Sequence, residues 1–196
     1  MNKLQSIYDN MLAAAAVFDK TPDDMVFGEG AADADVMLIG EAPGAEETRL
    51  HRPFVGKAGK NLDDFLAVIG QRRESIYISN VVKFRPFKVS AKGRLSNRPP
   101  KSGEVSCMLP HLLEEIEAVA PRVVVTLGNC PLRAVLGDKK AVIGGCHAQP
   151  AQAKALSHAF WLFPLYHPAS IIYNRALAPV YAQDLSALKR YIDGLD

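Results

Sequence analysis

Residues 36–59 read VMLIGEAPGAEETRLHRPFVGKAG. An apolar run of strand length ends at Gly40, the carboxylate of Glu41 follows at once, and Phe54 sits between a proline and a second glycine. Open parallel sheets bind ligands outside the carboxyl ends of their strands, where the turning chain frees backbone amides. Gly40 and Gly44 permit close backbone approach, and Pro43 stiffens the loop between them. Glu41 is thereby held at the mouth of a sheet, next to space for a small planar ligand. Each piece taken alone is also an ordinary strand-to-helix turn or a core aromatic; their density points to a site.

Outward from this stretch, strands and helices alternate. Apolar runs at Asp35 to Ile39, Ile76 to Val82, Arg122 to Leu127 and Phe160 to Tyr166 have the unbroken hydrophobicity of strands buried on both faces. Between and after them, helical spacing of apolar residues predicts helices over Lys57 to Ile69, Glu104 to Val119, Cys130 to Leu136 and Val180 to Ile192. Such alternation implies right-handed βαβ crossovers and a parallel sheet covered by helices on both sides. Leu4, Tyr8, Met11, Leu12 and Ala15 share one helical face, so residues 2–18 are expected as an amphipathic N-terminal helix packed on a single domain spanning residues 1–196.

The chain has 196 residues, 48% hydrophobic and 22% charged, enough for one substantial core. No run approaches the roughly 20 apolar residues of a membrane helix, and a secretory signal is not read at the N-terminus. Cys107, Cys130 and Cys146 are an odd number without a CxxC pair, which argues against a disulfide framework and a four-cysteine zinc site and predicts a reducing, cytoplasmic setting. The net charge of +2 conceals an asymmetry. Lys83, Arg85, Lys88, Lys92, Arg94, Arg98 and Lys101 crowd into residues 83–101 with no acid, leaving 16 basic against 21 acidic residues elsewhere. A basic segment on an otherwise acidic protein is the footprint of phosphate-backbone binding. The stretch from Phe84 to Lys101 is a long loop with Pro86, Pro99 and Pro100, hence functional or disordered.

In order, the chain gives GEAPG at 40–44, RPFVGKAG at 52–59, SNVVKFRP at 79–86, VVVTLG at 123–128 and HPAS at 167–170. This series resembles the uracil-DNA glycosylase superfamily, most closely its family 4, over about residues 26–192. The resemblance implies a three-layer α/β/α sandwich with a central four-stranded parallel sheet, and hydrolysis of the N-glycosidic bond of uracil in DNA to leave an abasic site. The base would be extruded into a pocket, with Gly40 and Ala42 against it, Phe54 stacked on its ring and Asn80 reading its edge by a bidentate amide. His167 would hydrogen-bond uracil O2, where negative charge builds as the bond breaks. Glu41 would orient water or support the oxocarbenium-like sugar, with Glu47 as second candidate.

For DNA contact, the resemblance and the charge pattern together nominate Lys57, Lys83, Arg85, Lys88, Lys92, Arg94, Ser170 and Arg175. Residues Ile171 to Tyr173 are candidates to fill the gap left by the base. The partner implied is uracil-containing DNA, with no membrane, no obligatory protein partner and a monomeric state. Hypoxanthine or other deaminated bases are possible further substrates, and a DNA-binding module of the same fold with weak or no catalysis is the alternative reading.

Family 4 members place two cysteines near the N-terminus, a third in a KCRP motif and a fourth shortly after. Here the third position is Phe84 and only Cys107 matches, so no iron–sulfur cluster, metal or other cofactor is expected, since one thiolate cannot supply a four-ligand set. The segment KVSAKGRLS is a second departure. It lies in an insertion where a related group that traps uracil-DNA covalently carries a histidine; this one has none, and its cations are expected on phosphates.

Overall fold

The apolar run ending at Gly40 is a strand with every residue buried (Val36–Gly40), because helices cover both faces of its sheet. The computed structural model describes residues 3–195, with the backbone alone at positions 57, 58, 60, 61 and 172. In chain order the strands are β1 (Glu29–Gly30), β2 (Val36–Gly40), β3 (Tyr77–Asn80), β4 (Phe87–Val89), β5 (Leu95–Asn97), β6 (Val123–Leu127), β7 (Ala151–Ala155) and β8 (His158–Leu165). The helices are α1 (Lys3–Ala15), α2 (Ala45–Leu50), α3 (Lys57–Ile69), α4 (Ser102–Val119), α5 (Asn129–Leu136), α6 (Ser170–Tyr173) and α7 (Ala178–Asp193).

The main sheet has the order β1-β3-β2-β6-β8-β7. Its centre is the expected parallel quartet β3-β2-β6-β8, with Leu38 opposite both Ile78 and Val125, and Val125 opposite Phe163. Two antiparallel edge strands extend it. β1 pairs with β3, and β7 folds back on β8 through a hairpin. The outer strand β7, AQAKA, is short and exposes Gln152 and Lys154, the polar character that keeps an edge from recruiting another chain.

Period-two alternation sends neighbouring residues of each central strand into different cores. Met37, Ile39 and Val124 join Met11 of α1, Leu112 of α4 and Leu132 of α5 on one face, while Val36, Leu38 and Val125 join Leu62 of α3 and Leu188 of α7 on the other. Each such large apolar side chain contributes about 1.5–3 kcal/mol by leaving water. The result is a three-layer α/β/α arrangement.

The N-terminal helix expected over 2–18 runs as α1 followed by a 3₁₀ turn at Ala16–Phe18, Asn2 lying outside the described residues. α4 begins two residues before the expected start because Glu104 accepts the Lys101 N–H at 2.6 Å and caps the first turn. Residues 84–101 are neither disordered nor structureless: β4 and β5 form an antiparallel ribbon there, with Phe87 opposite Asn97 and Val89 opposite Leu95.

Candidate active site

Gly40 closes β2 directly opposite Asn80, which closes β3. Backbone pairing continues beyond the strand ends: Val81 N–H donates to Gly40 O at 2.9 Å and Val82 N–H to Glu41 O at 3.1 Å. The first residues of the GEAPG loop are therefore fixed by the same lattice as the sheet. Phe54 and Asn80 are only 5% and 3% exposed, and both crowd Gly40; a methyl group there would overlap Asn80 Oδ1 and Phe54 Cζ. Glycine is required by that close approach. Gly40, Phe54 and Asn80 thus form one buried group.

Phe54 has a φ of 54°, in the left-handed region where a bulky residue is strained. Arg73 holds it there. Its guanidinium donates to Phe54 O, to Pro53 O at 3.3 Å and, through Nε, to Asp63 Oδ1 at 2.8 Å.

Glu41, Ala42, His167 and Ser170 line an open cleft of about 620 Å³, together with Tyr166 and Tyr173. His167 follows β8, and its ring lies near-parallel to that of Phe54, 22° between planes with centroids 6.1 Å apart, so Phe54 joins the buried group to the cleft. The Ala169 N–H donates to His167 Nδ1 at 3.1 Å. With Nδ1 accepting, the neutral ring carries its proton on Nε2 and keeps a donor free. Burial pushes the His167 pKa down, favouring that neutral form, and pushes the Glu41 carboxyl up.

Glu47 is engaged differently. Its carboxylate accepts the Gly44 N–H at 3.1 Å and the Gly56 N–H at 2.7 Å, and it is nearly buried. Each oxygen is committed to one loop, so Glu47 ties the GEAPG turn to the start of α3.

Lys83 corrects a sequence expectation. It is wholly buried and cannot meet DNA: Nζ donates to Glu115 Oε2 and Asn80 O, both at 2.6 Å, and to Ser79 Oγ. Burial pulls its pKa down while Glu115 opposes the shift. Glu115 also accepts from Ser79 Oγ at 2.8 Å and Tyr77 OH at 2.9 Å. Arg98 is likewise occupied, by both oxygens of Glu104 at 2.6 and 2.8 Å. Arg85 reaches Asn97 Oδ1 at 2.7 Å. Lys88, Lys92 and Arg94 stand exposed on the ribbon, in no ion pair among the described residues. Arg175 is exposed after α6, Tyr173 is 89% exposed, and the side chains of Lys57 and Ile172 lie outside the described residues.

Sequence reasoning missed Arg73 and Tyr166. Nothing local singles out Arg73, which acts across the end of α3, whereas Tyr166 adjoins HPAS and was readable as a strand end reaching the cleft.

The surroundings of Cys107 do not suit an iron–sulfur cluster. Its Sγ donates to Ala14 O at 3.4 Å. Phe84, wholly buried, packs on Phe18 with centroids 5.6 Å apart and bridges to Met25 through the backbone. Cys130 lies elsewhere, near Glu41, whose charge adds to burial in pushing the thiol up to about 12. Among the described residues no three His, Cys, Asp or Glu side chains gather as a metal would require.

The family model for the uracil DNA glycosylase superfamily matches residues 27–189. The chain is 35% identical over 176 residues to the Type-4 uracil-DNA glycosylase of Thermotoga maritima, covering 86% of this chain and 83% of that one. It is 34% identical over 174 residues to that of Pyrobaculum aerophilum, covering 85% of each, and 32% identical over 166 residues to that of Sulfurisphaera tokodaii, covering 83% of this chain and 72% of that one. With its strand-end residues, its layered sheet and these matches in agreement, the chain belongs to the uracil-DNA glycosylase superfamily.

Proposed function

We propose that this chain is a DNA repair glycosylase that flips uracil from DNA and hydrolyses its N-glycosidic bond, leaving an abasic site. The observation that carries the reading is the convergence of Glu41, Asn80 and His167 at the carboxyl ends of β2, β3 and β8, with Phe54 between them. A target base inside a duplex is out of reach, so the enzyme works on an extruded nucleotide. Phe54 stacks on the base. The Asn80 amide pairs with uracil O4 and N3, and the reversed donor–acceptor pattern of cytosine is rejected.

As the N1–C1′ bond breaks, its electron pair stays on the base and the charge spreads to O2. The Nε2–H of neutral His167 donates there, a bond stronger in the transition state than in the ground state. Glu41 faces the oxocarbenium-like sugar and orients the water whose oxygen bonds to C1′ while its proton is released. Glu47 serves by holding the two loops in register rather than by touching substrate.

Activity on uracil makes no use of an iron–sulfur cluster in this reading. Support comes from Cys107, whose Sγ donates to Ala14 O, and from Phe84, which stands where the family motif has a cysteine and packs on Phe18. Iron analysis and a visible spectrum of anaerobically purified protein check it; a stoichiometric cluster signal would refute it.

Alkali cleavage of labelled oligonucleotides carrying uracil opposite guanine, opposite adenine or unpaired tests the activity. Strand scission at uracil is expected, and the same assay with hypoxanthine measures whether other deaminated bases are accepted. Binding without scission would identify an inactive DNA-binding module instead.

A further inference from the structure

The β4–β5 ribbon presents apolar side chains that the body of the protein leaves uncovered. Phe87, Val89 and Leu95 are 37%, 60% and 48% exposed, and the register places all three on one face, with Lys88 and Ser96 on the reverse. A two-stranded ribbon is marginal by itself in water. Here hydrogen bonds fix it at both ends. At its base Arg98 Nε donates to Phe87 O at 3.1 Å while the rest of the guanidinium grips Glu104. At its tip Gly93, with a φ of 74°, donates its N–H to Ser90 O at 2.9 Å.

Two observations identify what covers this face. The first is charge: Arg85 and Lys20 stand 5.9 and 5.2 Å from the Phe87 ring centroid, and Lys88, Lys92 and Arg94 surround the tip without an acidic residue between positions 83 and 101. The second is continuity, because Asn97, on the apolar face, lines the same cleft as Glu41 and His167. The ligand is therefore a polyanion that also offers flat apolar surface beside the cleft. A duplex hides its rings by stacking, whereas a single strand exposes them next to its phosphates.

We infer that the apolar face of this ribbon binds the unstacked bases of single-stranded DNA flanking the nucleotide in the cleft, while the cations of the ribbon take the phosphates. The inference rests on the glycosylase reading for its position, but strand binding itself needs neither uracil nor catalysis.

Fluorescence anisotropy with a uracil-free oligonucleotide, single-stranded and as duplex, tests it. Val89→Ser with Leu95→Ser is expected to raise the single-strand Kd about tenfold and the duplex Kd less than about twofold, with the slope of log K against log salt unaltered. Lys88→Ser, Lys92→Ser and Arg94→Ser combined should weaken both and reduce the single-strand slope by about 2. Val89→Met with Leu95→Met keeps the apolar face and should keep single-strand affinity, which separates loss of the surface from loss of the fold. An unchanged single-strand Kd in the serine variant, equal losses on both forms, or failure of the methionine variant overturns the inference. Uracil release by the wild-type protein on matched uracil-containing strands, measured in parallel, reports on the glycosylase reading alone.

Discussion

The guanidinium of Arg73 donates to the carbonyl oxygen of Phe54, the residue whose ring links the buried Gly40–Asn80 group to His167. A non-glycine residue in the left-handed region costs of order 1–3 kcal/mol and persists only where its surroundings hold it. Arg73→Ala is expected to lower kcat/KM for uracil release about tenfold or more through a displaced Phe54. Arg73→Lys keeps one donor and should recover part of the loss. In a Phe54→Ala background the Arg73→Ala change should cost little further, and full additivity of the two losses in steady-state kinetics would contradict the coupling.

In its proposed role, Glu41 is expected to set the acid limb of activity. Its carboxyl is raised by burial, so the ionised form needed for catalysis is lost at a higher pH than an ordinary carboxylate would allow. The stability consequence has the opposite sign. A group whose folded pKa lies above its unfolded value contributes stability below the unfolded pKa and loses it as pH rises through the folded one. Glu41→Gln is therefore expected to be slow at releasing uracil and yet at least as stable as wild type at neutral pH, read by rate profile and thermal unfolding. A Glu41→Gln protein with an unchanged rate would remove this residue from the chemistry.

Glu47→Gln should behave in the reverse manner. The Gly44 and Gly56 N–H groups bond different oxygens, and Gln puts an NH2 in place of one of them, so one buried donor is orphaned at a cost of about 1–3 kcal/mol. Urea unfolding should show that loss, and any fall in rate should follow it; undiminished stability would reopen a direct role for Glu47.

Lys83→Met is expected to destabilise the fold by about 3–5 kcal/mol, because the buried Glu115 loses its counter-ion and keeps only the Ser79 and Tyr77 hydroxyls. Lys83→Met with Glu115→Gln should recover much of it. The salt slope of DNA binding measured for refolded double variant should match wild type, since this lysine touches no phosphate.

Much of the architecture was legible in the chain because buried parallel strands and amphipathic helices write their periods plainly, and α3 matches its expected bounds, Lys57 to Ile69, at both ends. The edge strands were not. β1 has two residues and β7 alternates alanine with polar side chains, so neither carries enough apolar signal to stand out. Glu41, Asn80 and His167 were readable as strand-end residues within motifs, and Phe54 as an aromatic between Pro53 and Gly56. Lys83 was misassigned because charge counted along a sequence does not reveal that an acid thirty-two positions later, Glu115, meets it in the core. Arg73 was invisible for the same reason: its partners lie across a helix, and only the folded chain brings them together.

The pairing of Gly40 with Asn80, and the continuation from Val81 and Val82 into the loop, make the sheet a ruler. Neighbouring strands stand about 4.8 Å apart. Asn80 therefore leaves the lattice one spacing from Glu41, and His167 emerges two spacings farther on, past β6. In the proposed function, the distance from the edge that would read the base to the groups that would act on sugar and leaving base is set by backbone repeat, not by side-chain reach. Loops around this frame are free to lengthen, as the ribbon does, without changing the spacing of Asn80, Glu41 and His167.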